Sequence, residues 1–174
     1  MGLTFGELTD TPVGPVSFVA GDGGLQRVSF QPLQALKAEQ GLFEEKPSLE
    51  GLKTIGILLA ELNEYLFGIR KTFSVKVDWN VLEGFQRQVL ELTADIPYGE
   101  LNTYGEMAEK LGKPGAARAV GGALGRNPMP IVIPCHRVVG SGMKLVGYTG
   151  GLDNKAFMLG LEGHLIEEGR VKGK

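Results

Sequence analysis

The chain has 174 residues, of which 43% are hydrophobic and 22% charged, and its formal net charge is −2. This composition is typical of a globular protein with a real core, and no apolar run approaches the ~20 residues that a membrane helix needs. One cysteine and two histidines are too few for a structural zinc site, and one cysteine cannot form an internal disulfide. We therefore expect no membrane association and no bound metal.

The first ten residues, MGLTFGELTD, contain acids and lack the basic start and apolar stretch of a signal peptide. An unpaired cysteine is also typical of a reducing compartment. We expect an intracellular protein, cytoplasmic, or nuclear if the source is a eukaryote.

The first part of the chain has the pattern of a small antiparallel sheet with a helix. Runs at 13–19 and 25–30 flank the turn residues GDGG and predict a hairpin. After Pro47 and Ser48, leucines and an isoleucine repeat at helical spacing as far as Gly68. The alternation of Phe73, Val75 and Val77 predicts a strand. We assign residues 1–78 to an N-terminal α+β lobe and 79–84 to a connector.

The second part is predicted to be mostly helical, over residues 85–168, with a disordered tail at 169–174. Thr103 followed by Glu106 is a capping box, which starts a short helix that ends near Leu111. A second helix runs from Ala116 to about Gly125. Two short helices around a Gly-Pro turn are a helix-turn-helix candidate, and the fold class is α+β.

The second of these helices, AARAVGGAL, consists mainly of small residues, with Arg118 as the only long side chain before Leu124. Glycine costs a helix roughly 1 kcal/mol relative to alanine, so the pair at Gly121 and Gly122 needs a reason. Close approach to another surface is one; tight packing against a neighbouring helix is the alternative.

The stretch from Lys110 to Leu152 contains no acidic residue and six basic ones. Within an otherwise acidic chain, such a local basic field favours a polyanionic partner at one face. A chance distribution of charge is the alternative.

Cys135 lies in the sequence IVIPCHRVVG, after an apolar run at 131–133 that predicts a buried strand ended by Pro134. A lone cysteine is most often a small buried hydrophobe. However, a thiol becomes a nucleophile when a base or a positive field favours the thiolate, and His136 and Arg137 could supply both. Glu162 is a candidate to orient the histidine, whereas His164 follows a helix end and is interpreted as structural.

These motifs, NPMPIVIPCHRVVGSG, GYTGGL, LEGH, FQRQVL, PYGE, TYGEMA and AARAVGGAL, closely resemble the O6-alkylguanine-DNA alkyltransferase family, also called methylated-DNA-protein-cysteine methyltransferases. The resemblance covers about residues 85–164. Over 1–78 only the pattern of sheet and helix is similar to the family's N-terminal lobe, which is ribonuclease-H-like.

The resemblance implies a stoichiometric, irreversible transfer of the alkyl group from guanine O6 to Cys135 after the nucleotide is flipped, without a cofactor. Activity on O4-alkylthymine stays open. His136 resembles the base that removes the thiol proton through a water, and Tyr104 the residue that protonates the departing guanine. By the same resemblance, the remaining site residues are the catalytic Glu162 and Asn127, the DNA-binding Arg118, Ala116, Ala117, Gly121, Thr103, Tyr104 and Arg126, and the pocket residues Pro130, Tyr148 and Thr149.

The implied partner is double-stranded DNA with an alkylated guanine, bound through the minor groove with low sequence specificity by a monomer. Thr149 stands where serine is frequent in the family, which leaves the width of the pocket open. Two other functions compete: a lesion-sensing DNA-binding protein without transfer activity, and a hydrolase with a triad of Cys135, His136 and Glu162.

Overall fold

The computed structural model describes residues 2–41 and 47–173 and divides the chain into two compact units, residues 1–81 and 82–174. Each unit has its own sheet and helices, which confirms the α+β fold class. The boundary between the units falls inside the segment 79–84 that we assign to the connector.

The first unit is a three-stranded antiparallel sheet with helices. The strands are β1 (Thr4–Leu8), β2 (Val16–Gly21) and β3 (Gly24–Ser29), in that spatial order, and the helices are α1 (Leu33–Gln40) and α2 (Leu49–Leu66). β2 is buried along its whole length because it is the central strand. The Ser48 hydroxyl caps α2 by accepting from the amide of Gly51.

The predicted strand over Phe73, Val75 and Val77 is wrong. Only Val77 pairs with the sheet, in a single bridge to Leu25. The segment is held instead by Glu61, whose carboxylate accepts from the amides of Ser74 and Val75. A side chain thus satisfies backbone groups that a strand would have paired.

The second unit consists mainly of helices, joined by short strand pairs. Its helices are α3 (Gly84–Ala94), α4 (Tyr104–Lys110), α5 (Ala117–Gly125) and α6 (Leu152–Leu161). Two-residue strands β4 (Asn102–Thr103) and β5 (Val138–Val139) pair in parallel, whereas β6 (Ile166–Glu167) and β7 (Arg170–Val171) form a small antiparallel pair.

Helices α4 and α5 pack against each other as the predicted helix-turn-helix. The capping box is present: the Thr103 hydroxyl accepts from the amide of Glu106, and the Glu106 carboxylate accepts from the amide of Thr103. This cap sets where α4 begins and places Tyr104 at its first position.

Two further expectations need correction. Residues 131–133 are buried apart from a half-buried Val132, but they form turns rather than a strand, because the backbone of Ile131 has a φ of 74°. The predicted disordered tail contains β7, and Val171 is buried in a cluster with Val139 and Leu159. The expectation for residues 169–174 was therefore wrong at Arg170 and Val171.

Candidate active site

The nucleophile turn is a single 3-10 turn, Cys135–Arg137, directly after Pro134. The Asn127 side chain holds it from below: its amide nitrogen lies 3.1 Å from the Cys135 sulfur and donates to the carbonyl of Ile133 at 3.0 Å. The Asn127 oxygen accepts from the amide of Met129, which sets the orientation of the amide group. The sulfur therefore faces a hydrogen-bond donor.

Cys135 is buried, with 5% of the residue exposed. Burial raises the pKa of this thiol to about 11, although the hydrogen bond from Asn127 and the charge of Lys155 both lower it. At neutral pH the resting group is a thiol, so a nucleophilic role requires a base that removes its proton.

His136 is completely buried, and its Nε2 lies 2.9 Å from Oε1 of Glu162. Burial lowers the pKa of His136 despite the hydrogen bond to Glu162, so the imidazole is neutral at pH 7. Because a carboxylate can only accept, Nε2 carries the proton and Nδ1 is the basic nitrogen. The pair has the arrangement of a general base with its orienting carboxylate.

Arg137 and the amide of Gly99 hold the Glu162 carboxylate. The guanidinium donates to both carboxylate oxygens, with the closest contact at 2.9 Å, and it donates to the carbonyl of Ile96 at 2.6 Å. Gly99 donates to Oε2 at 2.8 Å. Burial alone would raise the pKa of Glu162, but His136 and Arg137 outweigh it and hold that pKa well below its usual range.

The role expected for Arg137 thus changes. Its charge is paired with Glu162, not with the thiol. The positive charge that acts on Cys135 comes from Lys155 on α6, a residue that the sequence analysis missed. A lysine within the largely apolar helix LDNKAFMLGL was the available signal, since a charge there is either exposed or buried for a purpose.

Cys135 opens onto an inner cavity of about 200 Å³. Of the predicted pocket residues, Tyr148 and Thr149 line it. Tyr148 makes an edge contact with the His136 ring, and the Thr149 hydroxyl donates to the carbonyl of Gly125 at 3.3 Å. Other residues of the lining are Tyr104, Gly121, Leu124, Gly125 and Gly147. Pro130 is buried and is not part of this lining.

An outer cavity of about 620 Å³ adjoins the inner one, and the two share Tyr104, Gly121 and Gly147. Arg118 is exposed and lines the outer cavity together with Thr103 and Ala117. Among the predicted DNA-binding residues, the structure therefore brings Thr103, Tyr104, Ala117, Arg118 and Gly121 together. Ala116 and Arg126 lie at the two ends of α5, outside this lining.

The Tyr104 hydroxyl reaches the pocket wall, donating to the carbonyl of Val146 at 3.3 Å. Burial raises the pKa of Tyr104, with a further contribution from Cys135. The phenol is therefore protonated at neutral pH and can serve as a proton donor.

The acid-free stretch from Lys110 to Leu152 forms a basic surface, to which all but one of its six basic residues contribute. Arg137 is buried against Glu162, whereas the other five basic residues are exposed: Lys110, Lys113, Arg118, Arg126 and Lys144. Five of the six positive charges counted in the sequence are therefore on the surface, and the surface of this stretch is basic.

His164 is buried, at 7% exposure, and neither ring nitrogen has a hydrogen-bond partner within the described residues. Its backbone amide closes α6 by donating to the carbonyl of Leu159. The described part of the chain contains no cluster of three His, Cys, Asp or Glu side chains suited to a metal ion. It also contains no helix that is long and apolar enough to cross a membrane.

The chain is similar to known proteins over most of its length. Residues 84–164 match the model of the 6-O-methylguanine DNA methyltransferase DNA-binding domain. The methylated-DNA--protein-cysteine methyltransferase of Methanosarcina acetivorans is 40% identical over 88% of this chain and 95% of its own length. The protein of that name from Mycobacterium leprae is 40% identical over 90% of this chain and 91% of its own.

Solved structures are similar over both units. The O6-methylguanine methyltransferase of Mycobacterium tuberculosis has a TM-score of 0.76 at 36% identity and covers 92% of each chain. A structure of the same organism's protein in complex with DNA has a TM-score of 0.74 at 34% identity, with 91% of this chain and 92% of that one covered. On this identity and coverage, the chain belongs to the methylated-DNA-protein-cysteine methyltransferase family.

Proposed function

We propose that this protein repairs DNA by direct reversal, transferring the alkyl group of O6-alkylguanine to Cys135 in a single, irreversible event. The observation that carries the proposal is the position of Cys135: it lines the inner cavity, its sulfur contacts Asn127, and the next residue in the same turn is His136, which is paired with Glu162 from the end of α6. The relatives that bear the methyltransferase name support the same activity.

The chemistry begins with proton removal. The Cys135 proton passes through a water to Nδ1 of His136, whose other nitrogen is held by Glu162. The thiolate attacks the alkyl carbon, so that a sulfur–carbon bond forms as the O6–carbon bond breaks. The departing guanine takes a proton from Tyr104, whose phenol is protonated before the reaction. The proton on His136 then passes through solvent to the Tyr104 phenolate, so the net change is that the Cys135 thiol exchanges its proton for the alkyl group of the guanine.

The flipped base is proposed to reach the sulfur through the two cavities. Chemistry on guanine O6 requires that the nucleotide leave the base stack, at a cost of a few kcal/mol. The outer cavity is lined by α4, α5 and the 141–147 loop, and it shares Tyr104, Gly121 and Gly147 with the inner cavity, so the base is proposed to enter past these residues. Arg118, which is exposed in the lining of this cavity, is proposed to enter the stack and fill the gap.

Binding to DNA is proposed to occur in the minor groove, with low sequence specificity. The small residues Ala117 and Gly121 let α5 approach a surface closely, and the exposed basic residues of the acid-free stretch attract phosphates. The protein is proposed to act as a monomer, in the cytoplasm or, in a eukaryote, in the nucleus. A 1:1 complex with a short duplex in analytical ultracentrifugation is the expected result.

Mass spectrometry of the intact protein tests the transfer. After incubation with a duplex that contains one O6-methylguanine, we expect the mass to rise by one methyl group, located on Cys135, with no further turnover. Cys135→Ala should bind the same duplex and gain no mass.

The same experiment separates the alternatives. Tight binding of the lesion without a mass change in the wild type would indicate a lesion sensor. Turnover of an ester or amide substrate would instead support the hydrolase.

A further inference from the structure

Two cations lie side by side near the outer cavity but outside the helix-turn-helix. Lys144 in the 141–147 loop and Arg170 at the start of β7 are opposite each other in an antiparallel backbone bridge, and both are exposed. Residues opposite each other in such a pair have Cβ atoms about 5 Å apart, and like charges there are destabilising. The arrangement therefore favours an anion that neutralises both charges.

No carboxylate of the described residues forms an ion pair with either cation. In that part of the second unit, the acidic members of ion pairs are Glu91 and Glu162. Glu167 and Glu168 belong to the same β6–β7 hairpin as Arg170, yet within the described ranges neither is paired with a cation. Both positive charges are thus available to an anion from outside the protein.

The guanidinium of Arg170 is held in place by one hydrogen bond. Its Nη1 donates to the carbonyl of Gly142 at 2.9 Å. A Cβ at position 142 would lie 2.9 Å from the same nitrogen, so the glycine leaves the room that this contact needs. A guanidinium has five N–H donors, and only this one has a partner among the described residues. The remaining donors form the planar fork that binds phosphate in a bidentate manner.

The cations are fastened to the wall of the outer cavity. Gly142 and its neighbour Ser141 line that cavity, to which α5 contributes Arg118. The amide of Leu145 donates to the carbonyl of Gly169 at 2.8 Å, which ties the 141–147 loop to the β6–β7 hairpin. A duplex bound over the outer cavity would therefore bring its backbone close to the hairpin as well as to α5.

We infer that Arg170 and Lys144 form a second phosphate-binding site, which binds the backbone of the duplex beside the outer cavity while α5 lies in the groove. The inference rests on the proposed function and deepens it, because it adds the β6–β7 hairpin to the DNA interface. Phosphates carry no sequence information, so this contact strengthens binding to any duplex equally.

The test measures binding of a fluorescein-labelled duplex without a lesion, by fluorescence anisotropy, between about 50 and 200 mM NaCl. A duplex without a lesion keeps alkyl transfer out of the measurement. The slope of log Kd against log salt concentration reports how many phosphates the protein neutralises. Arg170→Gln should reduce this slope by about 1 and weaken binding about 3- to 10-fold, and Lys144→Gln should act in the same way. The double variant should lose about 2 in slope.

Two further variants separate charge from structure. Arg170→Lys keeps the charge and loses the planar fork, so it should restore the slope but only part of the affinity. Lys172→Gln removes an exposed charge from the same part of the chain, and this lysine lines a different cavity together with His164. It is the matched control, with the wild-type slope expected. Thermal unfolding shows whether each variant is folded.

A wild-type slope in both Arg170→Gln and Lys144→Gln would overturn the inference. Equal weakening by Arg170→Gln and Arg170→Lys at an unchanged slope would also overturn it, because the loss would then come from the Gly142 contact alone. Either result leaves the proposed alkyl transfer intact, since methylation of Cys135 is measured separately. If Arg170→Gln does not fold, Lys144→Gln decides the matter, because it leaves the Gly142 contact in place. Failure of the wild type to bind the duplex would overturn the inference together with the proposed DNA binding.

Discussion

The amide nitrogen of Asn127 lies 3.1 Å from the sulfur of Cys135 and 3.0 Å from the carbonyl oxygen of Ile133. One side chain thus contacts the nucleophile and also supports the turn that presents it. Because this hydrogen bond favours the thiolate, it lowers the pKa of the thiol against the effect of burial.

Replacing Asn127 with alanine removes both contacts. We expect transfer from free O6-benzylguanine to slow by about 10- to 100-fold, since a hydrogen bond to a charged group contributes ~1.5–3 kcal/mol. The amide of Met129 also loses its acceptor, the Asn127 oxygen, which should lower the free energy of unfolding by about 1–3 kcal/mol. Rate measurements and urea unfolding check the two effects. Asn80→Ala, at an exposed position, is the control; a wild-type rate in Asn127→Ala would contradict the role.

Glu162→Gln keeps the shape of the side chain and removes its charge. Arg137 and His136 then lose their buried anionic partner, so we expect the free energy of unfolding to fall by about 3–5 kcal/mol. The neutral amide also supports the imidazolium poorly, and the transfer rate should fall about 100-fold. Glu91→Gln, which breaks an exposed ion pair with Arg87, should change neither quantity appreciably. Equal stability of the two variants would argue against a stabilising role for the buried contacts of Glu162 with His136 and Arg137.

Acid should destabilise the wild type in two stages. The folded state lowers the pKa of His136 below 6.5, so the unfolded chain binds a proton first and stability falls as the pH drops past that value. The pKa of Glu162 is lowered from 4.5, so its contribution is fully present above that pH and is lost as the pH falls further. Urea unfolding at pH steps from 8 to 3 measures both stages. In Glu162→Gln the loss of unfolding free energy below pH 4.5 should be smaller than in the wild type. An equal loss in both proteins would contradict the assignment of this stage to Glu162.

Arg118 is exposed at the rim of the outer cavity, away from the sulfur chemistry. Arg118→Ala should therefore slow transfer from duplex O6-methylguanine by on the order of 10- to 100-fold, because extrusion of a base costs a few kcal/mol. Transfer from the free base should stay at the wild-type rate. Arg87→Ala, at another exposed arginine, serves as control. Equal losses on both substrates would remove Arg118 from the flipping step.

Alkylation adds a methyl group to the sulfur of a buried residue, Cys135, that is in contact with Asn127. Overpacking of this kind costs roughly 1–3 kcal/mol, so the melting temperature of the methylated protein should be lower by several degrees. Differential scanning calorimetry before and after reaction measures the shift. Cys135→Ala treated with the same substrate should show none. An unchanged melting temperature after complete methylation would show that the pocket accommodates the added carbon freely.

The sequence correctly predicted the structural elements that depend on contacts between residues close together in the chain. The capping box of Thr103 and Glu106 needs only four residues, and Ser48 caps α2 through the amide of Gly51. The pattern at 131–133 failed because Ile131 adopts a positive φ. Strand β1 and the hydrogen bonds of Glu61 to Ser74 and Val75 were also missed, because both depend on residues that are distant along the chain.

By itself, the sequence determined the family, the nucleophile Cys135 and the helix-turn-helix, because motif order and caps are properties of neighbouring residues. Only the tertiary structure decided which groups each buried charge contacts. Arg137 pairs with Glu162, 25 residues away in the chain, and Lys155 bonds to Val138, 17 residues away. Which of two basic residues acts on a thiol depends on distance and burial in three dimensions, and no spacing along the chain encodes either.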